Sequence, residues 1–211
     1  MSATLHFVHD PMCSWCWAFT QVQRSLEEGL PAEVTVTRLL GGLAPDSDEP
    51  MPAEMREYLQ STWRHIEARV PGTRFNFRFW DICTPRRATY PACRAVIAAR
   101  RQGAANDRLM TRAIQEAYYL QARNPADDET LIALAGELGL DTAAFATALN
   151  APETQARLDE EIARARGMGA DSFPSLVLET DQGLTNIPID YLDARPMLGA
   201  ITDALALARG E

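Results

Sequence analysis

Cysteine is scarce in this sequence, which has four among its 211 residues. Four are too few for the dense disulfide framework of a small secreted protein. A chain of this length can instead bury one sizeable core, or one core with an insertion. In a reducing compartment, two cysteines that lie close together are more often catalytic or metal-binding than structural.

A positive net charge and long apolar runs are lacking as well. The formal net charge is −9, which argues against nucleic acid and anionic membranes as default partners. No stretch approaches the length of a membrane span. The first residues show neither the basic region nor the apolar core of a secretion signal. We therefore expect a cytoplasmic protein without nucleic-acid or membrane partners.

The first forty residues predict a βαβ unit. Residues 4–9 are β-prone, and the strand ends at Pro11, which cannot donate to a ladder. Apolar residues then recur at helical spacing from Trp15 to Leu26. Residues 33–40 alternate valine and leucine with threonine, which is typical of a second strand. The distance between the two strands fits a helical crossover.

The middle of the chain predicts only helices. Asn106 and Asp141 suit N-caps, and Gly103 and Gly139 suit positions that follow a helix. Prolines stand at several first-turn positions. The predicted helices cover residues 51–70, 91–102, 107–123, 129–138, 142–149 and 152–168.

Strand character returns near the end of the chain. Residues 173–179 and 184–189 predict a hairpin, and a last helix follows at 194–208. The order of elements predicts an α/β chain with a thioredoxin-like fold and a large all-helical insertion. We expect the core to comprise residues 1–43 and 151–211, with the insertion at 44–150.

The segment Cys13-Ser14-Trp15-Cys16 lies where the first strand ends and the helix begins, a context that favours a redox CxxC motif. Helical residues three apart have Cβ atoms about 5–6 Å apart, whereas a disulfide needs about 3.8 Å. Cys13 should therefore lie at or just outside the helix start. The positive end of the helix dipole favours its thiolate. Cys13 is then the attacking thiol, and Cys16 resolves the mixed disulfide.

Two other interpretations of this pair are weaker. One is a buried, inert pair of cysteines. The other is a zinc site, but zinc needs four ligands, and the sequence offers neither a second CxxC nor a spaced pair of histidines. We expect no metal and no cofactor.

Residues 10–17, Asp-Pro-Met-Cys-Ser-Trp-Cys-Trp, resemble the active-site segment of DsbA-family proteins described as predicted disulfide isomerases, the FrnE type. The resemblance continues in residues 41–43, 90–95 and 173–176, and it covers nearly the whole chain. It implies a thioredoxin-fold oxidoreductase that exchanges dithiols and disulfides, with isomerase activity as one form. The implied substrates are disulfides of proteins or small thiols, with glutathione as a candidate.

The same resemblance places Phe173-Pro174 at the cis-proline loop of this fold. It implies a cis bond, a loop that faces the cysteines, and backbone groups that bind an extended substrate peptide. The alternative is an edge-strand proline in trans. Trp15 is expected to line the substrate groove rather than the core.

Other side chains are weaker candidates for tuning the site. An imidazolium at His9 would stabilise the thiolate, although a histidine at a strand end is more often packed or solvated. Ser14 lies between the cysteines. Arg94 could attract an anionic thiol such as glutathione, or be a solvated helix charge. Cys83 and Cys93 are expected to be small buried hydrophobes, with a second disulfide as the alternative.

Three functions stay open at this point. The first is a protein thiol–disulfide oxidoreductase. The second is a glutathione-dependent enzyme of the kappa-class transferase or chromene-carboxylate isomerase type, although those typically lack the second cysteine and carry serine at the first position. The third is a binding module or chaperone in which the disulfide is a switch. The presence of both Cys13 and Cys16 favours the first.

Overall fold

A computed structural model describes residues 3–210. Four strands and nine helices lie within this range. In chain order they are β1 (Ala3–His9), α1 (Ser14–Glu28), β2 (Val34–Leu40), α2 (Ala53–Arg69), α3 (Phe79–Ile82), α4 (Tyr90–Arg100), α5 (Asn106–Tyr119), α6 (Asp128–Glu137), α7 (Thr142–Leu149), α8 (Pro152–Gly167), β3 (Ser175–Thr180), β4 (Gly183–Ile187) and α9 (Arg195–Arg209).

The four strands form one mixed sheet in the order β2-β1-β3-β4. β1 and β2 are parallel, so both end at the same edge, where His9 pairs with Leu40. β3 runs antiparallel to β1 and begins at that edge, because Val8 pairs with Ser175. The loops that carry Cys13 and Pro174 therefore leave the sheet side by side.

Each face of the sheet is covered by helices. On one face Leu5 and Phe7 of β1 pack against α1 and α9, with Phe19 and Ile201 fully buried between them. On the other face Val8 packs with neighbours that include residues of α8. The alternation follows from the strand, in which successive side chains point to opposite faces. This sandwich is the α/β thioredoxin-like fold that the sequence predicts.

The helices between β2 and β3 have cores of their own. α4 lies at the centre of one core, and its residues 91–99 are buried. A second cluster surrounds Trp63 of α2 and includes Trp17 of α1 and Tyr119 of α5. Because Trp17 belongs to this cluster, α1 contacts both the sheet and the all-helical insertion.

Local differences from the prediction have physical reasons. The helix predicted at 107–123 ends at Tyr119, and the chain turns at Ala122 with a φ of 55°. Asn106 is not the N-cap but the first helical residue, and its amide donates to the Ala99 carbonyl. Asp141 is an N-cap, because its carboxylate accepts from two amides of α7. α3 was not predicted, since four residues are too few for a periodic pattern.

Within residues 3–210 no helix combines the length and hydrophobicity that crossing a membrane requires. The division of the chain into core segments 1–43 and 151–211 around an insertion stays a prediction. Residues 1, 2 and 211 of that division lie outside the described residues.

Candidate active site

The two cysteines of the CxxC segment lie at the start of α1. Cys13 is the N-cap residue with extended backbone, φ −79° and ψ 118°, and Ser14 is the first helical residue. The extended conformation lets the chain bend before the helix, as the Cβ spacing requires. Cys13 is 7% exposed and Cys16 is 1% exposed, so Cys13 is the outer thiol of the pair.

The environments of the two thiols differ. Burial raises the pKa of Cys16 well above the ordinary value, and the hydrogen bond to Cys13 and the charge on Cys13 raise it further. All four cysteines are free thiols in this structure. The pair therefore consists of Cys13, whose thiol reaches the Phe173 carbonyl, and of Cys16, which is buried more deeply.

The proline loop before β3 touches the outer cysteine. The peptide bond between Phe173 and Pro174 is cis, as the family resemblance implies. The Cys13 thiol donates to the Phe173 carbonyl at 3.3 Å. Gly41 at the end of β2 makes room for this loop, because a Cβ there would lie closer than 3.0 Å to three ring atoms of Phe173.

Asp10 is a central residue of the site to which the sequence analysis assigned no role. Its carboxylate is fully buried and accepts from the Met12 and Leu43 amides, both at 2.8 Å. It also accepts from the Thr89 hydroxyl at 2.6 Å and from the Cys93 thiol at 3.5 Å. Burial raises the pKa of Asp10, and these hydrogen bonds partly offset the effect.

Asp10 therefore joins three segments that are far apart in the sequence. They are the CxxC loop, the loop after β2, and the start of α4. An acidic residue between a buried strand and the CxxC is the signal that could have indicated this role.

Tyr119 holds the CxxC loop from the helical side. It is fully buried, and its hydroxyl donates to the Met12 carbonyl at 2.7 Å. Its ring stacks on Trp17, with centroids 5.6 Å apart. Trp17 is buried and donates its indole N–H to the Arg74 carbonyl. No local sequence pattern indicates this role of Tyr119, because its hydroxyl meets a residue 107 positions earlier in the chain.

A groove opens over Cys13, with a volume of about 320 Å³. Ser14, Trp15 and Phe173 line it together with residues of α2 and of the segment before α4. Trp15 is half-buried, and its ring packs on Tyr191 at 4.8 Å. Trp15 and Phe173 thus line the groove together with Cys13, whereas Pro174 is buried and does not line it.

The predicted imidazolium at His9 does not fit the structure. The His9 ring is buried and stacks on Phe7 at 5.0 Å. Burial lowers its pKa well below the ordinary value, and the charges of Arg38 and Arg100 lower it further. A neutral ring carries no charge to stabilise a thiolate. His9 lines a different crevice, which it shares with Cys16.

Arg94 also has a different role from the one predicted. Its guanidinium holds the Asp46 carboxylate in a bidentate pair at 2.7 and 2.9 Å, and it donates to Gln155 at 2.9 Å. It lines a pocket with Asp46 and Pro91 that does not include Cys13. It is therefore a buried structural cation, and an anionic thiol bound over Cys13 would not meet it.

The remaining cysteines belong to separate clusters. Cys93 is fully buried in the core around α4, where burial and the charge of Asp10 raise its pKa well above the ordinary value. Cys83 is half-buried near Trp63, and its thiol donates to the Ala122 carbonyl at 3.2 Å. Cys93 fits the prediction of a small buried hydrophobe, while Cys83 is more accessible than predicted.

Comparison with solved structures identifies close structural relatives. A Nitrosomonas europaea protein described as a candidate protein disulfide isomerase is 26% identical with a TM-score of 0.83, and the match covers 98% of this chain and 99% of that protein. The cytosolic disulfide reductase DsbM from Pseudomonas aeruginosa is also 26% identical, with a TM-score of 0.71 and coverage of 98% and 97%.

A curated relative has a different description. The ClpXP adapter protein SpxH of Shouchella clausii is 24% identical over 174 residues, which are 82% of this chain and 56% of that protein. The chain thus spans little more than half the length of this relative.

The family itself is shown by a match along most of the sequence. A family model described as the DSBA-like thioredoxin domain matches residues 4–195. This range includes the CxxC segment, the helices between β2 and β3, and the cis-proline loop. The resemblance seen in residues 10–17 is thereby confirmed, and the chain belongs to the DSBA-like thioredoxin domain family.

Proposed function

We propose that this protein is a thiol–disulfide oxidoreductase that works through Cys13 and Cys16. The observation that carries the proposal is the placement of two unequally buried cysteines at the start of α1, where Cys13 lines a groove and donates to the Phe173 carbonyl. Membership of the DSBA-like family supports it.

In the reducing direction, the Cys13 thiolate attacks one sulfur of a substrate disulfide. A bond forms between Cys13 and that sulfur, and the other substrate sulfur leaves as a thiolate. Cys16 then loses its proton and attacks Cys13, so the Cys13–Cys16 disulfide forms and the second substrate thiol is released. Two electrons pass from the dithiol to the substrate. Oxidation of a substrate dithiol is the reverse sequence. In isomerisation, Cys13 attacks one substrate disulfide, and another substrate thiolate then displaces Cys13, which leaves as a thiolate.

The groove supports a role in binding substrate for Trp15 and Phe173, which line it, whereas Pro174 is buried and does not line it. The Phe173 carbonyl already accepts from the Cys13 thiol, and an extended peptide could use the same backbone in the manner of an added strand. Disulfides of proteins and of small thiols are the proposed substrates. The Pseudomonas aeruginosa reductase has also been solved with GSH, and its description as cytosolic supports a cytoplasmic location here.

Trapping of the mixed disulfide tests this function. Replacing Cys16 by serine leaves the attacking thiol and removes the resolving one, since a hydroxyl does not displace sulfur at neutral pH. In a cell extract, Cys16→Ser should capture several proteins as adducts that dithiothreitol releases. Cys13→Ser, the matched control, should capture none, as seen on non-reducing gels.

Other outcomes would favour other functions. Capture of glutathione alone by Cys16→Ser, with turnover of small electrophiles by the wild type, would indicate the glutathione-dependent enzyme. The curated relative described as an adapter favours a binding module as the second candidate. Unchanged insulin-reduction activity in both serine variants would show that the pair is not catalytic and would support that second candidate.

A further inference from the structure

Asp10 carries a buried negative charge that no cation neutralises. The residue is fully buried, and its carboxylate makes no ion pair among residues 3–210. Two amides, a hydroxyl and a thiol hold it, and all four of these donors are neutral. A buried charge without a counter-ion costs stability. Its place beside the CxxC segment therefore points to a function in the exchange reaction.

The charge lies in the turn that leads into the attacking cysteine. The Asp10 carbonyl accepts from the Cys13 amide at 3.0 Å, and its carboxylate accepts from the Met12 amide at 2.8 Å. The Met12 carbonyl is held from the helical side by the Tyr119 hydroxyl at 2.7 Å. Met12 is thus fixed at both of its backbone groups, and the carboxylate is held against the residue that precedes Cys13.

The acidic groups around Asp10 are thiols and phenols from three helices. They belong to Cys16 of α1, to Cys93 of α4, and to Tyr118 and Tyr119 of α5. Burial is the main cause of their raised pKa values, and the charge of Asp10 raises each pKa further. Cys93 shows the effect in direct contact, because its thiol donates to the Asp10 carboxylate at 3.5 Å. None of these groups carries a positive charge that could compensate Asp10.

This arrangement bears on the direction of the exchange. A CxxC pair is a strong oxidant when the protein stabilises its reduced form, chiefly through a thiolate. The start of α1 favours a thiolate, whereas a carboxylate opposes it by like-charge repulsion. Because Asp10 is buried, water and salt screen this repulsion little. The amides of Met12 and Leu43 are also directed to Asp10, so they are not available to a sulfur anion.

We propose that Asp10 makes the Cys13–Cys16 pair a reductant by holding a negative charge beside it. Asp10 is a positioning residue, since it acts through the two cysteines and not on the substrate. The proposal rests on the oxidoreductase function and adds a direction to it. In that direction the dithiol passes two electrons and two protons to a substrate disulfide, which leaves as two thiols, and the Cys13–Cys16 disulfide forms.

Equilibration with glutathione tests the direction in the wild-type protein. The pair should have a reduction potential below that of glutathione at pH 7, read from the fraction of dithiol in buffers of known ratio of reduced to oxidised glutathione. A potential above that of glutathione would overturn the proposal, and this measurement does not depend on the folding of any variant.

Asp10→Asn keeps the size of the side chain and removes its charge. At pH 8.5 the equilibrium constant for reduction of its disulfide by glutathione should be about five- to tenfold higher than in the wild type, the effect of moving a thiol pKa by about one pH unit. At pH 5.5, where few thiolates form, the two constants should agree within about twofold. A difference of equal size at both pH values would indicate a changed loop shape rather than a charge effect, and would contradict the proposal.

Two further variants separate charge from geometry. Thr89→Val removes the 2.6 Å hydrogen bond to the carboxylate and keeps the charge. Asp181→Asn removes an exposed charge in the turn between β3 and β4, at the other end of the sheet. Both should keep the wild-type equilibrium constant within about twofold at each pH.

The outcomes distinguish this inference from the function on which it rests. No shift in Asp10→Asn, or an equal shift in Thr89→Val or Asp181→Asn, would overturn the role of Asp10 while the oxidoreductase function stood. A wild-type pair that exchanges with neither glutathione nor dithiothreitol would instead contradict the proposed function.

Discussion

At the scale of single residues, the site depends on where side chains point after folding. Cys13 and Cys16 could be predicted as a pair because their spacing and local context carry the information. The structure gives His9 and Arg94 surroundings other than those predicted, because these surroundings depend on distant partners. Arg94 meets Asp46, 48 residues earlier in the chain. His9 lies beside Arg38 of the neighbouring strand, which no local pattern reveals.

The burial of His9 predicts a pH-dependent stability. Its pKa in the folded protein is well below the usual value, whereas the unfolded chain binds a proton near pH 6.5. The unfolded state therefore binds more protons below that pH, and the free energy of unfolding should fall as the pH falls. Between pH 7 and 5.5 this contribution should be about 1 kcal/mol, measured by urea denaturation.

His9→Gln removes this titration and should reduce the difference in the free energy of unfolding between pH 7 and pH 5.5. The control is His65→Gln, which removes an exposed imidazole that packs near Trp15. The part of the slope that is lost in His9→Gln but kept in His65→Gln is the part that the burial of His9 causes. A slope that His9→Gln leaves unchanged would show that His9 stays titratable in the folded protein.

At the scale of elements, the geometry of the sheet edge brings the site together. The parallel pairing of β1 and β2 and the antiparallel pairing of β3 put three loops at one edge. The order of strands and helices was predictable, because periodicity and turn residues determine it locally. The end of α5 was not, since the turn at Ala122 interrupts a helical pattern that continues in the sequence.

Gly41, which follows β2, lies against the Phe173 ring of the cis-proline loop. Gly41→Ala should push the Phe173 ring away, because three of its ring atoms lie closer than 3.0 Å to the new Cβ. The Phe173 carbonyl that accepts from Cys13 should move with it. We expect a loss of about 1–3 kcal/mol in stability, as in other overpacked sites, and slower insulin reduction at equal folded fraction.

Gly199→Ala is the control for this substitution. Gly199 lies within α9, and a Cβ there meets nothing within 4 Å. Alanine favours the helix by about 1 kcal/mol over glycine, so this variant should be at least as stable as the wild type. Normal insulin reduction by a folded Gly41→Ala protein would show that the position of Phe173 is not critical.

At the scale of the whole molecule, buried charges connect the sheet to the helices. Arg38 of β2 donates to Asp107 of α5 at 2.8 Å, and Arg100 of α4 donates to the same carboxylate at 2.9 Å. Arg100 also donates to Glu161 of α8 at 2.6 Å. Sequence reasoning did not predict this network, because it joins charges 7 to 69 residues apart.

Glu161 links this network to the end of β2, at the edge of the sheet where the site lies. One carboxylate oxygen accepts from Arg100, and the other accepts from the Leu40 amide at 3.0 Å. Glu161 is 2% exposed, so solvent does not replace a lost hydrogen bond. A glutamine must turn its NH₂ toward one of these donors. Glu161→Gln should therefore cost about 2–4 kcal/mol of stability, the range for a buried charged hydrogen bond or ion pair that loses one partner.

Glu160, the residue before Glu161 in α8, provides the control for the Glu161→Gln prediction. Glu160 lies on the exposed side of α8, and its side chain is 66% exposed beside Arg157. Glu160→Gln removes the same charge from the same helix and should change stability by less than about 0.5 kcal/mol. Denaturant midpoints measure both variants, and hydrogen exchange at the Leu40 amide should accelerate only in Glu161→Gln. Equal effects of the two substitutions would mean that helix charge, rather than the buried network, holds the sheet edge against α8.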